Sequence, residues 1–272
     1  MVSLEQLIDD RLIHGRAYFS REEALAALGL RPAALAAAIS RLIKKRKLAN
    51  PRHGFYLILR PEDQVAGAPD PVRWIDPLMQ HQGLDYRISL LRAAAFHGAS
   101  HQAAMVIQII VSKQLRDFEI GRHRLQFMYQ TPATFVQVNQ PDYLVSMKSD
   151  AGFAKVAGVE LTLLDCARYF HKTGGINSVA QIVKDIGDKA NPRKLAQVAG
   201  SYENSSVRRL GYLLDLAGHV RQAKVLESLV KQAKTAVALN PAAKPVIESF
   251  AELHEKNTKW KLILNEAVEI DF

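Results

Sequence analysis

The chain has 272 residues, of which 48% are hydrophobic and 23% charged, a balance typical of a folded protein and one that excludes extensive disorder. The single cysteine, Cys166, excludes an intramolecular disulfide framework, and no apolar run approaches the roughly 18 residues of a membrane-spanning helix. The net charge is +9. With no signal-peptide pattern at the start, we expect a cytoplasmic protein of two domains, at roughly 150 residues per domain.

The excess positive charge is concentrated near the N-terminus, because residues 1–60 hold 11 Lys and Arg against 5 Asp and Glu, whereas residues 61–272 hold 25 against 22. Such a concentration attracts a polyanion, most commonly nucleic acid. No acidic residue lies between Glu23 and Glu62, while eight basic residues do: Arg31, Arg41, Lys44, Lys45, Arg46, Lys47, Arg52 and Arg60. A solvated helix end is the alternative interpretation.

Two short helices are predicted at the start of the chain. Apolar residues at helical spacing, Leu4, Leu7, Ile8 and Leu12, indicate a first helix that ends near His14 and Gly15. Ser20 and Glu23 form the capping-box pattern of a second helix, because the hydroxyl and the carboxylate can satisfy free backbone amides. Gly29 supplies the end of this helix.

A third helix is predicted to open at Pro32, since proline suits the first helical turn. Its buried stripe is expected to be Leu35, Ile39, Leu42 and Ile43, which turns these residues outward: Ala33, Ala34, Ala37, Ser40, Arg41, Lys44 and Lys45. Small residues come first and can enter the DNA major groove closely, while the basic residues reach the flanking phosphates. The pattern is typical of a recognition helix, with base reading expected from Ser40 and Arg41.

The segment after Leu48 predicts a wing. Residues 49–54 indicate a tight turn and residues 55–59 a returning strand. Arg52 and His53 are expected at the tip of the turn, where they would contact the sugar-phosphate backbone or a narrow minor groove. Residues 1–60 therefore predict a winged helix-turn-helix that binds double-stranded DNA, although many winged helices serve only as protein-interaction modules.

Residues 61–77 are predicted to be a connector because they carry four prolines and a glycine with little periodicity. Trp74 and Ile75 are expected to dock this connector. Residues 78–272 are then the second domain, with a helix over 86–98 and strands over 105–111, 124–129 and 143–147. Apolar stripes predict five further helices, over 159–170, 176–186, 193–199, 207–216 and 222–239. Strands followed by helices favour an α+β fold, with a small sheet and a helix-rich C-terminal half.

Four segments, in the order in which they occur, resemble the AbiEi antitoxins of bacterial abortive-infection toxin–antitoxin systems, and the resemblance spans nearly the whole chain. They are the N-terminal module with Arg41-Leu42-Ile43 and Gly54-Phe55-Tyr56, the run at 89–99 (SLLRAAAFHGA), the run at 159–165 (VELTLLD) and the run at 209–214 (RLGYLL). The resemblance implies a DNA-binding N-terminal domain that represses its own operon at inverted repeats. It further implies a C-terminal domain that counteracts a nucleotidyltransferase-like toxin encoded alongside, in a type IV system for phage defence.

Residues that would point to an enzyme are few. His97 and His101 are four residues apart, but Gly98 argues against the continuous helix that a pair of metal ligands needs. Asp142 with Glu160 resembles the carboxylate pair of metal-dependent nucleases, in which a lysine stands two residues after the second acid, a position that Thr162 occupies here. Cys166 lies in an apolar helix and is expected in the core. We predict no catalytic residue, metal or cofactor.

The expected DNA-binding residues are Arg31, Ser40, Arg41, Lys44, Lys45, Arg52 and His53. A second basic patch is formed in the sequence by Arg122, Arg124, Arg208 and Arg209, which are expected to be solvated surface or to bind further DNA or an acidic surface. An inverted-repeat operator would require two copies of the DNA-binding domain, so self-association on DNA is expected. The remaining alternatives are a regulator with a sensing domain and a DNA-targeted nuclease.

Overall fold

The computed structural model describes residues 3–99, 106–149, 152–243 and 255–270. The chain divides into two compact units. One, which we call the sheet unit, contains residues 1–88, 105–131 and 146–156; the other, which we call the helical unit, contains residues 89–104, 132–145 and 157–272. The division differs from the expected boundary at residues 61–77, because strands from three separate stretches of chain complete the sheet of the first unit.

The N-terminal module of the sheet unit consists of three helices and a three-stranded antiparallel sheet. In chain order these are α1 (Leu4–Ile13), β1 (Tyr18–Ser20), α2 (Arg21–Leu28), α3 (Pro32–Lys44), β2 (Leu48–Arg52) and β3 (Phe55–Ile58). The strand order is β1-β3-β2. The helix boundaries agree with the sequence prediction, whereas β1 was not predicted, because three residues are too few to show an alternating pattern.

Local sequence explains where these helices start and stop. Ser20 Oγ accepts a hydrogen bond from the Glu23 amide, and the Glu23 carboxylate accepts one from the Ser20 amide, so the predicted capping box is confirmed. Ser3 and Gln6 form a second capping box at α1. Gly29 ends α2 with a φ of 62°, in the left-handed region that glycine enters at little cost. The three helices pack on a common core that includes Leu7, Phe19, Leu35, Ile39 and Leu42.

The connector is folded onto the sheet unit. It contains single turns of 3₁₀ helix at Pro61–Asp63 and Pro71–Arg73, followed by α4 (Ile75–His81). Trp74 and Ile75 are fully buried, as predicted, and the Trp74 indole donates to the carbonyl of Pro69 at 3.0 Å. Asp63 and Arg73 form a nearly buried ion pair at 3.7 Å. The prolines therefore shape an ordered segment rather than a loose linker.

A six-stranded mixed sheet completes this unit. Its strands are β4 (Tyr86–Ile88), β5 (Val106–Val111), β6 (Phe118–Ile120), β7 (His123–Tyr129), β8 (Leu144–Ser149) and β9 (Gly152–Ala157), in the order β6-β7-β5-β4-β9-β8. β5 lies parallel to β7 and antiparallel to β4. The predicted strands at 105–111, 124–129 and 143–147 are confirmed within a few residues, except that Met105 lies outside the described residues. β6 and β9 were not predicted.

The predicted helix over 86–98 is wrong in its first turn. Tyr86, Arg87 and Ile88 form a fully buried central strand, and the helix, α5, covers only Leu90–Phe96. The Arg87 guanidinium donates to the Gln130 side-chain oxygen at 2.8 Å, which allows an arginine to be buried in the sheet. Pairing with β5 and β9 decides the conformation here, and no local pattern reveals it.

The helical unit contains the five helices predicted after residue 158, together with a short helix, α6 (Pro132–Val138), that was not predicted. After α5 its helices are α6 (Pro132–Val138), α7 (Val159–Arg168), α8 (Ile176–Ile186), α9 (Pro192–Ala199), α10 (Asn204–Leu216) and α11 (Val220–Val230). The helix predicted over 222–239 ends at Val230, and residues 237–238 instead form strand β10. β10 pairs with β12 (Leu262–Leu264), which pairs in turn with β11 (Glu255–Asn257), a small sheet that was not predicted.

Within the described ranges, no single helix combines the length and the apolar character needed to cross a bilayer; the pair α2 and α3, bent by 114°, passes on length and composition alone.

Candidate nucleic-acid interface

Helix α3 presents an exposed face with small side chains in its first half and basic side chains at its end. Leu35, Ile39 and Leu42 are buried beneath it. All the residues predicted to point outward are exposed or partly exposed: Ala33, Ala34, Ala37, Ser40, Arg41, Lys44 and Lys45. The prediction for Ile43 was wrong, because this residue is 38% exposed and does not complete the buried stripe. The face is free of acidic residues along the whole helix.

The ends of α3 concentrate further cationic groups. Arg31 is the N-cap residue, is exposed, and makes no side-chain capping hydrogen bond. At the other end the chain turns at Arg46, whose φ of 54° is left-handed, and the Arg46 and Lys47 amides donate back to the carbonyls of Ile43 and Leu42. The end of α3 and the turn that follows it therefore carry three consecutive exposed cationic residues, Lys44, Lys45 and Arg46. Cations next to the last carbonyls of a helix are also favoured by the helix dipole.

The strands after α3 form a hairpin with an irregularity between Ala49 and Arg52. The side-chain amide of Asn50 donates to the carbonyls of Arg52 and Phe55, the latter at 2.7 Å, and so braces the turn. The predicted turn over 49–54 is therefore mostly bulged strand, with the reversal itself at His53 and Gly54. Gly54 has a φ of 77°, which this tight reversal requires.

The position of Arg52 differs from the prediction. Its guanidinium lies over the Phe118 ring, 4.3 Å from the centroid, and 5.8 Å from that of Phe127. It also donates to the carbonyl of Arg116. Burial lowers the pKa of Arg52, an effect that Asp117 partly opposes, yet a guanidinium stays charged at neutral pH. Arg52 therefore packs on β6 and β7 instead of extending from the wing tip, because an aromatic pair offers a partner that the sequence does not reveal.

His53 remains exposed at the turn, as predicted. Its carbonyl accepts a hydrogen bond from the His81 ring at 3.3 Å, and that ring also packs against Phe55 at 5.5 Å between centroids. Helix α4 therefore packs against the β2–β3 turn, while the His53 side chain faces solvent. The exposed side chain of His53 is therefore available to a ligand at the β2–β3 turn.

Arg122 and Arg124 lie on the β6–β7 hairpin of the same unit. Both are exposed, and Arg124 forms an ion pair with Glu119 at 3.8 Å. Arg122 lines an open groove that Ile43 and Arg46, at the end of α3, also line. The structure therefore brings Arg122 close to the C-terminal end of α3. The sequence did not indicate that Arg122 and Arg46 line the same groove, because 75 residues of chain separate the two positions.

The prediction that Arg208 and Arg209 belong to a second basic surface patch was wrong. Both residues are buried in α10. Arg208 donates to Asn204 and to the carbonyls of Thr235 and Lys261, and Arg209 donates to the carbonyls of Ala167 and Leu239. Burial lowers the pKa of Arg209 to about 10. The two guanidinium groups satisfy carbonyls inside the helical unit, so they do not form a surface patch.

Comparison with protein families assigns the second part of the chain. Residues 87–216 match the AbiEi antitoxin C-terminal domain. This stretch is similar to that domain, and we call residues 87–216 the AbiEi domain. The match begins at β4 and ends with α10, so the AbiEi domain includes most of the six-stranded sheet as well as the helices that follow it. No curated protein matches the chain at a significant level.

The fold itself has been seen in a crystal structure. The RV2827C protein from Mycobacterium tuberculosis is similar with a TM-score of 0.65 and 17% sequence identity, over 95% of this chain and 90% of that protein. The likeness covers the N-terminal module together with the AbiEi domain. At this level of identity it establishes the shared fold only.

The enzyme-like residues of the AbiEi domain have structural partners. Glu160 is nearly buried and accepts a hydrogen bond from the Asn191 amide at 2.6 Å, while Asp142 is exposed. His97 lies 2.7 Å from the Ala157 carbonyl, and His101 lies outside the described residues. Among the residues described, no three His, Cys, Asp or Glu side chains form a cluster that could hold a metal ion.

Two further side chains of α7 lie in the interior of the AbiEi domain. Cys166 is fully buried, as predicted, and burial raises the pKa of its thiol. The fully buried carboxylate of Asp165 accepts hydrogen bonds from Ser89 Oγ at 2.7 Å and from the Tyr202 hydroxyl at 2.6 Å. Asp165 therefore ties α7 to the start of α5 and to the segment before α10. Asp165 is the last residue of the run VELTLLD, so this part of the family resemblance ends in a buried carboxylate that accepts hydrogen bonds from two other segments.

Proposed function

We propose that this protein is an antitoxin that also represses its own operon, with residues 1–60 acting as a winged helix-turn-helix on double-stranded DNA. The AbiEi domain supports the antitoxin role. One observation carries the DNA-binding role: α3, held by the core of a three-helix module with a β-hairpin behind it, turns an acid-free and basic face outward. This order of elements is that of winged-helix domains, which insert the third helix in the major groove.

In the proposed complex, α3 enters the major groove with its alanine-rich first half closest to the bases. Ser40 and Arg41 read base edges, and Lys44 and Lys45 contact phosphates on the flanking strand. Arg31 at the start of the helix and His53 at the wing turn contact the backbone further out. Since alanine has no hydrogen-bonding side chain, affinity comes mainly from phosphates, and specificity comes from few base contacts together with operator shape.

The antitoxin role requires a toxin. We propose that this protein counteracts a nucleotidyltransferase-like toxin from the same operon, as a non-enzymatic member of a type IV system that serves in phage defence. The operator carries inverted repeats, so two copies of the protein bind side by side on the DNA. The buried positions of Glu160 and Cys166 and the internal partners of the AbiEi domain support a structural role for these residues.

A gel shift with the DNA upstream of the gene tests the DNA-binding role. Replacement of Lys44 and Lys45 by Ala should weaken binding to every sequence and flatten its salt dependence, by about one unit of slope for each phosphate that is no longer neutralised. Lys224→Ala with Lys231→Ala removes the same charge from exposed positions at α11 and is the matched control. Unchanged affinity and slope in the α3 variant would contradict the proposed docking.

Co-expression with the neighbouring gene product tests the antitoxin role. The full-length variant with Lys44 and Lys45 replaced should still rescue growth, because its AbiEi domain is intact, while a reporter under the upstream promoter becomes derepressed. The same experiment with Lys224→Ala and Lys231→Ala should preserve both rescue and repression. Failure of the wild-type chain to rescue growth would overturn the assignment of that neighbour as the toxin.

A further inference from the structure

The β6–β7 hairpin is fastened to the N-terminal part of the sheet unit by its backbone. The Arg122 amide donates to the Ala66 carbonyl at 2.7 Å, and the His123 ring bonds the Ala68 carbonyl at 3.2 Å. Gly67 and Gly121 meet so closely that a Cβ on Gly121 would lie 2.1 Å from the Ala66 oxygen. With Arg52 packed on Phe118, the hairpin is held at two separate places. The turn that carries Arg122 is therefore fixed relative to α3.

This attachment forms a groove of about 540 Å³ beside the C-terminal end of α3. Its lining includes Ile43 and Arg46 from the end of α3 and residues 119–122 of the hairpin. Arg46 and Arg122 are both exposed, so each guanidinium can reach a ligand in the groove. Glu119 is the acidic residue of the lining, and its charge is offset by the ion pair with Arg124.

We propose that this groove receives the sugar-phosphate backbone of the duplex whose bases α3 reads, with Arg46 and Arg122 as phosphate ligands. This inference rests on the proposed DNA-binding function. Three features favour a nucleic-acid strand: the groove is open to solvent, its ligands are guanidinium groups that can bind phosphate oxygens with two hydrogen bonds, and its lining includes the basic end of α3. The AbiEi domain thus contributes directly to operator binding through Arg122.

The test is a salt titration of operator binding by full-length Arg122→Ala. We expect a loss of affinity that is equal for operator and unrelated DNA, and a slope of log affinity against log salt that is less steep by about 0.9. Arg221→Ala removes an exposed arginine from α11 and is the matched control, with the slope expected unchanged. Because Arg122 is exposed, its replacement is expected to leave folding intact, which the melting temperature checks.

A second measurement locates the phosphate that Arg122 binds. Operator duplexes that each carry one neutral methylphosphonate are compared with the wild-type chain and with Arg122→Ala. At one phosphate, a methylphosphonate should weaken binding of the wild-type chain but leave binding of Arg122→Ala unchanged. This phosphate should differ from those whose neutralisation no longer matters once Lys44 and Lys45 are replaced. If Arg122→Ala behaves as Arg221→Ala does while the α3 variant still loses affinity, the groove proposal is wrong and the proposed function stands. If the wild-type chain binds no upstream DNA, the proposed function fails first.

Discussion

Gly211 in α10 lies directly against the indole ring of Trp260. A Cβ at Gly211 would lie 2.1 Å from the nearest ring carbon, closer than any side chain can approach. Trp260 is fully buried, and its indole nitrogen donates to the Asp215 carboxylate at 2.7 Å, which fixes the ring from the next turn of the helix. The last helix of the family match is thus covered by a tryptophan 44 residues beyond the end of that match.

Gly211→Ala should lower the free energy of unfolding by about 1–3 kcal/mol, because the added methyl group must displace a ring that is held on several sides. Urea denaturation followed by far-UV circular dichroism measures the stability. Gly200→Ala, at the exposed end of α9, adds the same group where the nearest atom is 3.4 Å away, and should cost much less. Equal losses in the two variants would show that contact with Trp260 is not the cause.

Arg52→Ala should destabilise the protein by about 0.5–2 kcal/mol, because it removes a cation that is packed over Phe118. Arg52→Lys should recover only part of this loss, since an ammonium group lacks the planar face that stacks on a ring. Arg41→Ala, on the exposed face of α3, should change stability by less than about 0.5 kcal/mol yet weaken DNA binding. Thermal unfolding and gel shifts on the same samples should therefore rank the two arginines in opposite orders.

The stability of the helical unit should fall in mild acid because of His97. Burial lowers the pKa of this ring below its ordinary value of about 6.5; the Ala157 carbonyl and Glu160 oppose the shift, and Lys189 adds to it. As the pH falls through about 6.5 the unfolded chain takes up a proton that the folded chain resists, so the free energy of unfolding decreases.

The neutral variant His97→Gln tests this origin of the acid sensitivity. It should show a shallower loss of unfolding free energy between pH 7 and the range below the folded pKa. His53→Gln, at an exposed position, should keep the wild-type pH dependence. Parallel profiles for wild type and His97→Gln would assign the acid sensitivity to other groups.

Tyr202→Phe should lower the free energy of unfolding by about 1.5–3 kcal/mol, because it removes a hydrogen bond to the buried carboxylate of Asp165. Tyr212→Phe is the matched control, since among the described residues the Tyr212 hydroxyl has no hydrogen-bond partner. A cycle with Asp165→Asn should reveal coupling between Tyr202 and Asp165, measured by chemical denaturation. Additive losses in the double variant would mean that the two side chains act independently.

The sequence predicted most reliably the elements whose causes are local. The α2 boundaries follow from Ser20, Glu23 and Gly29, and the predicted limits of α8 agree with the structure because its apolar stripe is regular. Tyr86–Ile88 could not be predicted, since its conformation depends on pairing with distant strands. The end of α11 at Val230 was missed for the same reason: the continuing apolar residues Val237 and Ala238 pair with β12 instead of extending the helix.

The candidate site shows the same difference between features with local causes and features that depend on residues far away in the sequence. The exposed face of α3 was predictable, because helical periodicity alone decides which residues face away from Leu35, Ile39 and Leu42. The side chains that were misplaced, Arg52 and the Arg208–Arg209 pair, are arginines whose partners lie far away in sequence. A charged residue in a sequence indicates an exposed site by default, and only the fold reveals the ring or carbonyl that binds it instead.

The contact between Gly67 and Gly121 determines where this protein can be cut or recombined. A chimera joined at residue 60 would place a foreign loop against the β6–β7 turn, where neither backbone has room for a side chain. A transplantable portion that carries the proposed DNA-binding face should therefore include the segment up to β4 together with the β6–β7 hairpin. In sequence alignments, insertions and deletions should occur in these two loops together, because the two backbones contact each other.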